Sequence, residues 1–127
     1  MANLDKKLLL SYISAASLLF SSCIEKNNYN YPEYVYFPKE GGKMMVHGDE
    51  YYVNLYIEED GKAVANTWGL EDGAAVSYKW LTVIDVPNAK YFKIIVDPSD
   101  IKKKRKLKIV ANFGPDYGEI NVIQAGK

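Results

Sequence analysis

Few residues in this chain are equipped for chemistry. Among 127 residues there is one Cys and one His. Such a pair of counts cannot build an internal disulfide or a Cys-rich zinc site. His47 follows Met44-Met45-Val46 with no nucleophile near it in sequence, and reads as a plain strand histidine. There is no H-E-x-x-H, no C-x-x-C and no glycine-rich phosphate loop. No catalytic residue, metal or cofactor is therefore expected. Glu58-Glu59-Asp60 and Glu71-Asp72 could offer oxygens to Ca²⁺, but neither run has the spacing of a calcium loop, and turn chemistry accounts for both.

Aromatic and basic side chains point to binding instead. Sugar rings present C–H faces that stack on Tyr and Trp. Tyr52 and Tyr56 fall on the strand face opposite Val53, Leu55 and Ile57. With Trp68, in a loop beside Asn66-Thr67, they form the candidate ligand-binding set. Trp80 reads as core, as a sandwich tryptophan commonly is. Lys102, Lys103, Lys104, Arg105, Lys106 and Lys108 form a basic patch. Such a run is either a solvated hairpin and strand edge that discourages edge-to-edge pairing, or a contact for anionic lipopolysaccharide, an acidic glycan or a partner's acidic face. The whole chain balances 16 basic against 16 acidic residues, which argues against phosphate neutralisation and hence against nucleic acid.

The elements that must carry these groups begin after an address. Lys6 and Lys7 precede an apolar or small run over residues 8–20, and Ser21-Ser22 then precede Cys23. This layout is that of a secretory signal peptide, and its apolar helix would be too short for a bilayer's ~30 Å core. In placing the lone Cys directly behind a small pair, it resembles the bacterial lipoprotein signal. That resemblance implies cleavage after residue 22, lipidation of Cys23 and anchoring in the cell envelope, most naturally the outer membrane. From residue 23 onward the charge is uneven: residues 23–100 hold 7 basic and 13 acidic side chains, residues 101–127 hold 7 and 2.

Residues 23–33 are polar, include Pro32 and lack an apolar period, so they read as a flexible tether. Beyond them β signals dominate. Residues 34–37 alternate, residues 43–47 make a short strand, and residues 51–58 alternate again. Asp60-Gly61 is a hairpin signature leading into residues 62–66. Residues 67–75 form a loop. Residues 76–86 read as a strand bent near Thr82. Residues 91–96, 106–113 and 119–124 complete the set, with Phe92, Ile94, Val96, Leu107, Ile109, Ala111 and Phe113 facing inward. Seven to eight short strands at about ten-residue spacing predict an all-β, Ig-like sandwich over residues 34–127.

Several words of the sequence, in order, resemble a BACON domain, an Ig-like module of secreted or lipid-anchored proteins of Bacteroidetes. They are Phe37-Pro38-Lys39-Glu40-Gly41-Gly42, Asn66-Thr67-Trp68, Trp80-Leu81-Thr82-Val83, Arg105 before Lys-Leu-Lys-Ile-Val, and Ile120-Asn121-Val122-Ile123-Gln124-Ala125-Gly126. Between Gly42 and Trp68 the chain is longer than the family pattern. The resemblance implies a non-catalytic sandwich that binds glycans or acts as a spacer, and it carries over no ligand residue. The expected protein is thus a membrane-anchored, non-catalytic binding module of the bacterial envelope, with a glycan as candidate ligand. The alternative is a spacer or protein-interaction module, with an envelope protein as partner.

Overall fold

Apolar residues at every second position close on one another from two sheets. The computed structural model describes residues 25–127; the segment expected to be a signal peptide and Cys23 lie outside them. The ten strands are β1 (Glu25–Lys26), β2 (Tyr34–Phe37), β3 (Gly42–His47), β4 (Asn54–Glu59), β5 (Lys62–Asn66), β6 (Ala75–Tyr78), β7 (Leu81–Ile84), β8 (Tyr91–Val96), β9 (Arg105–Asn112) and β10 (Asp116–Gln124). One sheet runs β1-β10-β9-β4-β5, with β2 also pairing with β10; the other runs β3-β8-β7-β6. The fold is an all-β sandwich. Its core is built from Val35, Phe37, Leu55, Ile57, Leu107, Ile109, Ile120 and Val122 on one sheet, facing Val46, Leu81, Val83, Phe92, Ile94 and Val96 on the other.

The sandwich has two ends. At the proximal end β10 begins, β1 pairs with it in parallel, and the 48–53, 67–74 and 85–90 segments connect strands. At the distal end lie the 38–41 turn, the Asp60-Gly61 turn and the 97–104 segment. Asp60 and Gly61 both have positive φ, 52° and 82°, as a type I′ turn requires.

Three expectations are corrected. The tether expected over residues 23–33 is docked from Glu25 onward. β1 pairs with β10, Asn28 exchanges hydrogen bonds with the backbone of Glu119, and Tyr31 is 2% exposed. The strand expected to bend near Thr82 is instead a hairpin turning at Lys79-Trp80, with Lys79 at φ 53°. The face shared by Val53, Leu55 and Ile57 breaks at Val53: it is exposed, and Tyr52 turns inward in its place.

Tyr31 and Tyr52 both seal the proximal end of the core. Tyr52 Oη accepts the Val86 N–H at 3.0 Å and donates to the Tyr91 carbonyl at 3.0 Å, while its ring meets Phe92 edge-on at 5.8 Å. Burial is the main cause that lifts both phenols. Tyr31 rises from 10.0 to about 12, helped by Glu50 and Asp49, and Tyr52 rises although the Val86 N–H pulls the other way. A proton held more tightly in the folded state stabilises it fully below pH 10, and that contribution is lost as pH climbs through the folded value. Unfolding should therefore become easier above pH 10, with these two phenols ionising only as the sheet signal disappears. A joint titration of tyrosinate absorbance and circular dichroism reads this; independent early ionisation of every tyrosine would refute it.

Candidate ligand-binding face

The outer face of the larger sheet is not covered by any other described element, and alternation decides what it shows. Since Leu107, Ile109 and Ala111 point inward, Lys106, Lys108, Val110 and Asn112 point out. The β10 and β4 registers then set Tyr117 and Asn54 beside Asn112, Glu119 and Tyr56 beside Val110, and Asn121 and Glu58 beside Lys108. These side chains enclose a shallow concavity of 430 Å³ lined by Tyr56, Glu58, Val110, Asn112, Tyr117 and Glu119. Val110 is its floor, 2% exposed despite facing outward.

Charges around the concavity are cross-linked. Lys108 Nζ lies 3.3 Å from Glu119 and 3.8 Å from Glu58, and Lys26 Nζ is 3.7 Å from Glu119. Pairs as open as these contribute about 0–1 kcal/mol each, so their effect is chiefly to hold the carboxylates in place. Burial, then Glu58 and Glu119, raises the Tyr56 phenol, which stays a neutral donor and acceptor. At the proximal rim three carboxamides form a ladder. Asn112 Nδ2 donates to Asn54 Oδ1 at 2.8 Å, and Asn54 Nδ2 donates to Asn66 Oδ1 at 2.9 Å. The chemistry on offer is a pair of phenol rings, an apolar floor and fixed carboxylate and amide oxygens. It suits a small ring-shaped ligand with several hydroxyls.

The expected set of Tyr52, Tyr56 and Trp68 is not brought together. Tyr52 is half-buried against the core with its hydroxyl satisfied, Tyr56 is on the outer face, and Trp68 is a loop residue 66% exposed. Tyr117 was hidden because Gly114 to Gly118 reads as a turn; β10 starts at Asp116, three residues before the expected strand, and alternation back from Asn121 would have reached it. Tyr34 and Tyr36 add an exposed pair on the same face at the sheet edge, their rings 6.3 Å apart and nearly parallel.

The basic patch also divides. Lys102, Lys103, Lys104 and Lys106 are exposed at the distal end, but Lys108 is half-buried on the outer sheet face, paired with Glu58 and Glu119 beside the concavity. Arg105 is structural: Nε donates to Gln124 Oε1 at 2.8 Å, and its guanidinium lies over the buried Trp80 ring at 4.9 Å. His47 is exposed on β3 beside Tyr91, 5.2 Å between ring centres. Among the described residues, no group of three His, Cys, Asp or Glu side chains is gathered to hold a metal ion.

No family model matches the chain, and no curated protein matches it in sequence. In fold it is similar to a protein from Bacteroides thetaiotaomicron whose structure was determined by NMR. The likeness covers 81% of this chain and 84% of that one, with a TM-score of 0.54 and 15% identity. At that identity the likeness speaks for the sandwich alone.

Proposed function

We propose that the chain is a lipid-anchored, non-catalytic binding module of the bacterial envelope, BACON-like in fold, which holds a glycan on the outer face of its larger sheet. The observation that carries the reading is the Tyr56–Tyr117 concavity: two rings over an apolar floor, ringed by fixed oxygen acceptors, on a face no described element covers. Paired carboxylates could suggest glycoside hydrolysis instead. Lys108 pairs with both Glu58 and Glu119, so neither carboxylate stands without an ammonium partner, which favours binding over cleavage.

Anchoring gains meaning from the docked N-terminal segment. Only Ile24 separates Cys23 from β1, and two residues span at most about 7 Å. A lipid on Cys23 would therefore hold the proximal end against the bilayer, with the concavity on the flank and Lys102–Lys104 farthest away. Those three exposed lysines favour a second reading, a spacer or protein-interaction module that meets an acidic partner at its distal tip.

A glycan array probed with the chain from residue 23 separates the two. Glycan hits should be lost, about 10-fold or more, in Tyr56→Ala and Tyr117→Ala, as expected for a lost sugar-stacking contact of 1–2 kcal/mol. They should persist in a Lys102→Glu, Lys103→Glu, Lys104→Glu variant, whose stability should change by less than about 0.5 kcal/mol. An array without hits, or hits indifferent to both tyrosines, would leave only the spacer reading.

A further inference from the structure

We infer that the proximal loops form a membrane-seating surface, in which Tyr51, Val53, Trp68 and Leu70 enter the interface of the bilayer that holds the anchor. The inference rests on the anchored reading above. Tyr51, Val53, Trp68 and Leu70 are large apolar side chains left 51–66% exposed on a small domain. Exposed apolar groups scattered singly need no explanation, but a patch does. These four flank one strand pair. Tyr51 and Val53 lead into β4; Trp68 and Leu70 follow its partner β5. Thr67, bonded to Leu55 through both its backbone N–H and its Oγ1, pins the two segments side by side.

Their composition and place agree. Trp and Tyr favour the bilayer interface, with an apolar body and a polar tip. Lys90 Nζ lies over the Tyr51 ring at 5.0 Å, so its ammonium can remain at headgroup level while the ring goes deeper. The patch occupies the end from which the chain leaves toward Cys23: β1 enters beside Asp116 at the start of β10, and β4 enters beside Asn112 at the end of β9. Crossing the sheet from β1 to β5 at about 4.8 Å per strand gives roughly 19 Å. The anchor and the patch therefore define two well-separated supports under one end, which fixes tilt as well as distance.

Charge selects the bilayer. Asp85 and Asp72 line the hollow beside Tyr51 and Val53, and Glu71, Asp49 and Glu50 lie in the same loops. Against them stands Lys90. Such an end is repelled by anionic headgroups, so the seat suits a zwitterionic or neutral headgroup layer, and apolar insertion has to supply the contact.

The two tryptophans make the test direct, because Trp68 is proximal and Trp80 distal. The chain from residue 23 is coupled through its single thiol to a maleimide lipid in phosphatidylcholine vesicles, some carrying brominated acyl chains. Trp68 emission should move to the blue and be quenched by the brominated chains. Trp68→Phe, which leaves Trp80 as sole reporter, should lose that quenching. Replacing a third of the lipid by phosphatidylglycerol should reduce it. Should Trp68 stay equally open to an aqueous quencher on and off vesicles, or should anionic lipid increase the quenching, the seating surface is wrong. Because coupling supplies the tether, these results read the loops whether or not the cell lipidates Cys23. The native protein's mass tests the anchor separately.

Discussion

Tyr31→Ala is expected to destabilise the domain by about 3–5 kcal/mol, the range for removing a buried aromatic ring. A segment of asparagines, glutamates and a proline would ordinarily tolerate that change with no measurable loss. Here the ring is 2% exposed and bridges the sheets, 5.9 Å from Phe92 of β8 and 5.8 Å from Phe113 beyond β9. Gly48 makes the room: a Cβ there would fall 2.0 Å from a Tyr31 ring carbon. Tyr31 Oη donates to the Glu50 carbonyl at 2.8 Å, so Tyr31→Phe should cost only about 1 kcal/mol. Against a typical total of 5–15 kcal/mol, the alanine variant should unfold at much lower denaturant concentration. Chemical denaturation with an unchanged m-value measures it. A loss under 1 kcal/mol would restore the flexible tether.

Gln124→Leu should cost about 3 kcal/mol, although Leu is apolar, similar in size and enters a fully buried site. Gln124 ends the last strand and serves three segments at once. Its Nε2 donates to the Asp97 carbonyl at 2.8 Å, to Pro38 at 3.2 Å and to Lys39 at 3.3 Å, while Oε1 accepts Arg105 Nε. Leucine strands the Arg105 Nε–H and takes the short bond from the Asp97 carbonyl, while Pro38 and Lys39 keep the N–H groups of Gly41 and Ser99; a buried group left unpaired costs about 1–3 kcal/mol, more when charged. Gln124→Glu is the sharper probe. It keeps the acceptor for Arg105 but turns a carboxylate on three carbonyls, and should be the worse variant at neutral pH. Equal stability of Gln124→Leu and wild type would mean that this amide does not close the distal end.

The same positions explain what was legible in the sequence. Alternation in β2, β8 and β9 exposed their inward faces without ambiguity, because each is an unbroken run with apolar residues two apart. Parity misled at Tyr52, where one exposed residue, Val53, shifts the chain from one face to the other. Lys79-Trp80 turns the chain with neither Gly nor Pro, so nothing local announced it. Tyr31 lies among polar neighbours and has no apolar period; only long-range contacts with Phe92 and Phe113 give it a role. The members of the Lys-Arg run play different parts. Arg105 and Lys108 fall on opposite faces of β9, and their partners Gln124, Glu58 and Glu119 are distant in sequence.

Everything proposed about presentation depends on the residue two places before β1. Intact mass spectrometry of the protein extracted with detergent from its own envelope tests it most directly. The expected species is a chain beginning at Cys23 and heavier than its amino-acid sequence by the mass of a glyceride with acyl chains. Removal of the lipid would release the sandwich into the soluble fraction. A mature chain of unmodified mass with a free Cys23 thiol would contradict anchoring, and with it the orientation of the binding face.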